Sequence, residues 1–73
     1  MNVMKFLAII EKTATGFSAY SPDLPGCVAT GATLEAASEN MKSAIDFHVE
    51  GLREDGQEIP APSSTATYIE TAA

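Results

Sequence analysis

The sequence predicts a small α+β domain with the element order β-β-β-α-β. Three observations predict it. Three short segments rich in β-branched, aliphatic and aromatic residues come first, separated by connections that contain Gly and Pro. One long segment then carries apolar residues at helical spacing behind a favourable N-cap. A last β-rich segment follows a Pro-Ala-Pro break. With 73 residues there is room for one domain, spanning residues 1–73.

The first strand is read over Val3 to Glu11. Alternation puts Met4, Phe6, Ala8 and Ile10 on one face and Leu7 and Ile9 on the other. Both faces are partly apolar, which suits a strand in the interior of a sheet. Thr13 to Gly16 reads as a hairpin connection and Phe17 to Tyr20 as the second strand. In the loop Ser21-Pro22-Asp23-Leu24-Pro25-Gly26, the prolines hold Ser21 and Leu24 extended and remove two backbone donors. A third strand, Cys27 to Thr30, completes an antiparallel meander.

The helix is expected to start at Thr33 or Leu34 and to end near Gly56. Thr33 is a good N-cap, and Glu35 lies in the first turn, where the helix dipole favours negative charge. Leu34, Ala37, Met41, Ala44, Ile45, Val49 and Leu52 form one apolar stripe. Lys42 and Asp46 stand one turn apart and should attract weakly. Ile59-Pro60-Ala61-Pro62 must be extended, and Thr65 to Thr71 reads as a short fourth strand.

Composition excludes several functions. Ten Asp and Glu against four Lys and Arg give a net charge of −6, and no two basic residues are adjacent. Direct nucleic-acid binding by this chain alone is therefore not expected. The longest apolar run, Phe6 to Ile10, is far too short to span a bilayer, and the N-terminus lacks the pattern of a signal peptide. The single cysteine, Cys27, has no internal disulfide partner. A reducing, cytoplasmic setting is expected.

No constellation for catalysis is visible. His48 lies beside the apolar stripe and reads as a packed side chain, and Cys27 as a small buried one. The spacing of His48, Glu50 and Glu54 matches no familiar metal site, and there is no Gly-rich phosphate loop. The meander followed by a helix resembles the start of the ribonuclease H fold, so its carboxylates need a test. Two-metal nuclease chemistry needs several acids converging on strand centres. The strand segments hold only Glu11 and Glu70, each near an end. No catalytic residues, metal or cofactor are expected.

One helix covers one face of a sheet, and a domain this small buries only about 60% of the surface its unfolded chain exposes. A homodimer or higher oligomer, a complex with another protein, or both, is expected.

Three motifs carry a resemblance. The segment from Ser18 to Cys27 contains Pro22-Asp23-Leu24-Pro25-Gly26-Cys27. Gly31-Ala32-Thr33-Leu34-Glu35-Ala36 enters the helix, and Gly56-Gln57-Glu58-Ile59-Pro60-Ala61-Pro62 leaves it. In this order and spacing they resemble the HicB antitoxin family, over about Lys5 to Pro62. The resemblance implies a degraded ribonuclease-H-like fold without nuclease activity. It also implies a partner, a HicA-like toxin, a small basic RNA-cleaving protein whose active face the antitoxin covers. The net charge of −6 agrees with a basic partner. Many members continue into a C-terminal DNA-binding domain, and this sequence reads as a short form without it. The alternative is a stand-alone dimeric regulatory or ligand-binding domain with no toxin partner.

The candidate partner-binding residues are Tyr20, Asp23, Leu24 and Pro25. Pro22 and Pro25 restrict the loop, so little entropy is lost on docking. Tyr20 and Leu24 offer contact area, and Asp23 offers a charge for a basic residue. The opposing reading has Leu24 tucked into the domain's own core, with the prolines merely shaping the turn.

Overall fold

The computed structural model describes residues 3–72. Three strands, β1 (Ile9–Lys12), β2 (Phe17–Tyr20) and β3 (Val28–Gly31), precede one helix, α1 (Leu34–Glu54). The strands form an antiparallel sheet in the order β1-β2-β3, so β2 is central and β1 and β3 are edges. The α+β class and the meander-then-helix order are as the sequence predicts.

Between β1 and β2 the turn is closed by the Thr13 N–H, which donates to the Gly16 carbonyl at 2.8 Å. The end of β3 runs directly into the first turn of α1. A Cβ on Gly31 would overlap the backbone of Ala36 and Ala37, so only glycine lets strand and helix meet this closely. Asn40 ties the two together again, its side-chain amide donating to the Thr30 carbonyl at 2.8 Å.

Helix α1 starts and stops where its sequence signals stand. The Thr33 hydroxyl accepts from the Ala36 N–H at 3.0 Å. At the other end Gly56 has φ +69°, and the Gly56 and Gln57 N–H groups return to the carbonyls of Arg53 and Leu52. This pair of bonds is a Schellman closure, which needs the left-handed residue that glycine supplies without strain. Lys42 and Asp46 pair at 2.8 Å on the solvent side. Exposed pairs of this kind contribute about 0.3–0.5 kcal/mol.

The core lies between the sheet and α1. Ala19, Leu24, Cys27 and Met41 are buried together, with Phe6, Ala8, Ile10, Ala29, Ala44, Ile45 and Val49 packed around them. Met4, expected on the face with Phe6, Ala8 and Ile10, lies with Phe6 along the groove beside Ile45 and Val49. The helix crosses mainly β3 and β2 and barely touches β1.

Two expectations need correction. Strand β1 does not begin at Val3. Its paired part is Ile9–Lys12, because β2 offers only the four residues Phe17 to Tyr20 for pairing. The fourth strand does not form in this chain. Residues 57–72 are neither helix nor strand, and among the described residues Thr65–Thr71 has no neighbouring strand. Local β propensity cannot make a strand without a partner for its backbone. Beyond Ser64 this tail is exposed throughout. The radius of gyration is 14.0 Å, against roughly 11 Å for a compact chain of this length.

Candidate protein-binding face

The loop between β2 and β3 is built inward. The Leu24 N–H donates to the Ser21 carbonyl at 3.2 Å, and the Cys27 N–H to the Leu24 carbonyl at 3.1 Å. These two turns aim the Leu24 side chain into the core, where it is 0% exposed. Of the candidate contact residues, Leu24 is therefore an anchor for the loop, with no area open to solvent. Pro25 is exposed on the outside of the same loop, and Tyr20, at the end of β2, is 40% exposed.

Asp23 is also used inside the chain. Its carboxylate accepts four hydrogen bonds from the segment after α1. Ser63 donates its backbone N–H at 3.2 Å and its hydroxyl at 3.1 Å, and Ser64 donates the same two groups at 3.1 and 2.9 Å. The Ser64 backbone bond is the largest cause holding the Asp23 carboxyl below its ordinary value. The other serine bonds act in the same direction, and partial desolvation opposes them. A lowered folded-state value means the clamp is fully present above the ordinary Asp range. It is lost as pH falls through the lowered value. Following the Ser63 and Ser64 amides by NMR is expected to show one acid transition below the ordinary Asp range. Asp23→Asn should remove that transition and speed amide exchange at both serines. Unchanged exchange in Asp23→Asn would show that the clamp does not form in solution.

Strand register assembles the face that points away from α1. Ile9 stands opposite Tyr20, and Tyr20 opposite Val28, so these three side chains form one row across the sheet. Val28 is 66% exposed. Leu7, two residues before Ile9, precedes β1 and is half-buried. Glu11, Ser18 and Thr30 form the next row, which is polar. The outer face is thus an apolar strip beside a polar strip, with Pro25 in the loop at the apolar end. Of the candidate residues read from the sequence, Tyr20 lies in this row and Pro25 near its end, while Asp23 and Leu24 are engaged within the chain. The place of Val28 beside Tyr20 follows only from register, and the pairing of Asp23 with Ser63 and Ser64 has no local signal.

The groups considered for chemistry stay apart from this face. Cys27 is buried, and its thiol is pushed up by desolvation. His48 is half-buried on α1. Among the described residues no three His, Cys, Asp or Glu side chains converge as a metal site, and no helix is long and apolar enough to cross a membrane.

Comparison with known proteins gives a consistent picture. Residues 6–73 match the family described as HicB-like antitoxin of bacterial toxin-antitoxin system. A 14.9 kDa protein from the rep-hol intergenic region of Haemophilus phage HP1 is 42% identical over 66 residues, covering 90% of this chain and 50% of the phage protein. A UPF0150 protein of Thermoplasma acidophilum is 38% identical over 58 residues, covering 78% of this chain and 84% of the relative. Among solved structures, a chain of a HicA3 and HicB3 toxin-antitoxin complex superposes with a TM-score of 0.67 at 38% identity. That match covers 77% of this chain and 65% of the other. The chain thus spans about half the length of the phage relative and somewhat under two thirds of the solved one.

Proposed function

Because this chain belongs to the HicB-like antitoxin family, we propose that it binds a small, basic, RNA-cleaving toxin of the HicA type and neutralises it by covering its active face. The observation that carries the reading is the likeness, at 38% identity, to a chain of a solved HicA3 and HicB3 toxin-antitoxin complex. The net charge of −6 supports it, since an acidic chain is steered toward a basic partner and repels RNA.

The contact surface in this reading is the apolar row Ile9–Tyr20–Val28 with Pro25 at its end. Tyr20 is the anchor, an aromatic ring with a polar tip of the kind that dominates interface energetics. Leu24 and Asp23 act from behind. Leu24 pins the loop to the core, and Asp23 pins the loop to the chain beyond α1, so the surface is rigid before docking. The role is non-catalytic and takes no cofactor. Its setting is the cytoplasm, where such a toxin meets RNA.

The test is RNA cleavage by the HicA-like toxin of the same genome, with this chain added in increasing amounts. Cleavage should fall to background at an equimolar ratio or close to it. An unchanged rate at a tenfold excess of folded chain would overturn the reading.

A further inference from the structure

The edge strand β1 and the segment that leads into it carry an apolar run. Phe6, Ala8 and Ile10 on one side and Leu7 and Ile9 on the other are all only partly covered. Among the described residues the outer edge of β1 has no paired strand. Alongside it runs an open groove of about 520 Å³, lined by Met4, Phe6, Ile10, Met41 and Ile45. An unpaired edge beside an apolar groove is a template for one more strand.

The chain carries one segment of matching chemistry. Thr65-Ala66-Thr67-Tyr68-Ile69-Glu70-Thr71 is β-prone, yet Tyr68 is 101% and Ile69 80% exposed. Successive residues of a strand point to opposite faces, so one of these side chains would enter the groove beside Phe6 while the other joined the row at Ile9. The charges are complementary as well. β1 and the segment before it hold Lys5 and Lys12 against the single acid Glu11, a net positive stretch in an otherwise acidic chain, and the Thr65–Thr71 segment holds Glu70 and no cation. At its root the tail is fixed by the four hydrogen bonds to Asp23, and beyond that root it is exposed throughout and unpaired with β1.

We propose that the occupant of the β1 edge is the Thr65–Thr71 segment of a second copy of this chain, exchanged reciprocally in a two-fold homodimer. The exchange is self-complementary, because each copy offers its β1 edge to the other's tail and its tail to the other's β1 edge, which is what a closed two-fold assembly requires. It meets the toxin-binding row only at its β1 end, beside Ile9, and leaves Tyr20 and Val28 open.

The experiment uses the full chain at tens of micromolar. Sedimentation should show a dimer. Isotope-filtered NMR on a mixture of labelled and unlabelled copies should show contacts from the Tyr68 ring of one copy to Phe6 or Ile10 of the other. Ile69→Pro removes a backbone donor from the tail, where no packing of the body depends on it, and should weaken dimerisation at least tenfold with the circular dichroism of the body unchanged. Tyr68→Ser should weaken it in the same direction. A monomeric native chain, contacts from Tyr68 to Phe6 within one copy only, or a dimer that Ile69→Pro leaves equally tight would each overturn the proposal.

Discussion

Leu24→Ala is expected to remove about 2–5 kcal/mol of folding stability, a large share of the roughly 4–11 kcal/mol available to a domain of this size. The side chain is 0% exposed and sits in the buried cluster with Ala19, Cys27 and Met41. Truncation both forfeits its burial and leaves a cavity. Flanking Pro22 and Pro25 limit how far the loop can relax to fill that cavity. Urea denaturation should show the midpoint falling with the slope unchanged. A loss below about 1 kcal/mol would mean that Leu24 is open to solvent, and the loop would then present Leu24 itself to partners.

Tyr20→Ser combined with Val28→Ser is expected to do the reverse. Both side chains lie on the outer face at 40% and 66% exposure, so the fold should tolerate the pair. Strand propensity spans only about 1 kcal/mol, which bounds the cost to the sheet. Binding to the toxin should suffer far more. Loss of an anchoring aromatic costs at least about 2 kcal/mol, or roughly 30-fold in affinity. The pair removes apolar area and adds no charge, so steering of the basic partner is preserved and the loss should appear in the dissociation rate. A double variant that binds at the native rate and affinity would place the contact elsewhere.

Those two outcomes separate residues that the sequence alone left in one group. Tyr20, Asp23, Leu24 and Pro25 are neighbours in the chain, but a loop's hydrophobic residue carries no periodicity to say which way it points. Only the turns at Ser21–Leu24 and Leu24–Cys27 send Leu24 inward. Asp23 was legible as a charge, yet its partners lie forty residues away, and no local pattern links it to Ser63 and Ser64.

The helix was legible in its bounds and most of its stripe, though Leu34, read as the first residue of that stripe, is 50% exposed. Its cap, stripe and terminator are local signals, and Thr33, Met41 and Gly56 act as read. Strands were legible only as far as their partners allow. Phe17 to Tyr20 stands as read, while β3 is shifted by one residue to Val28–Gly31. The start of β1 and the Thr65–Thr71 segment have the right composition but no paired strand among the described residues. The interior place read for the first strand from its apolar residues is corrected by the sheet order, which puts β1 at an edge.

The most direct measurement of the central claim is a calorimetric titration of the HicA-like toxin of the same genome, in catalytically inactive form, into the native full chain. The account predicts a saturable complex of defined stoichiometry, weaker at high salt because acidic and basic surfaces meet, and weakened roughly 30-fold by the Tyr20→Ser, Val28→Ser pair. No heat of binding at tens of micromolar, with both proteins shown to be folded, would contradict it.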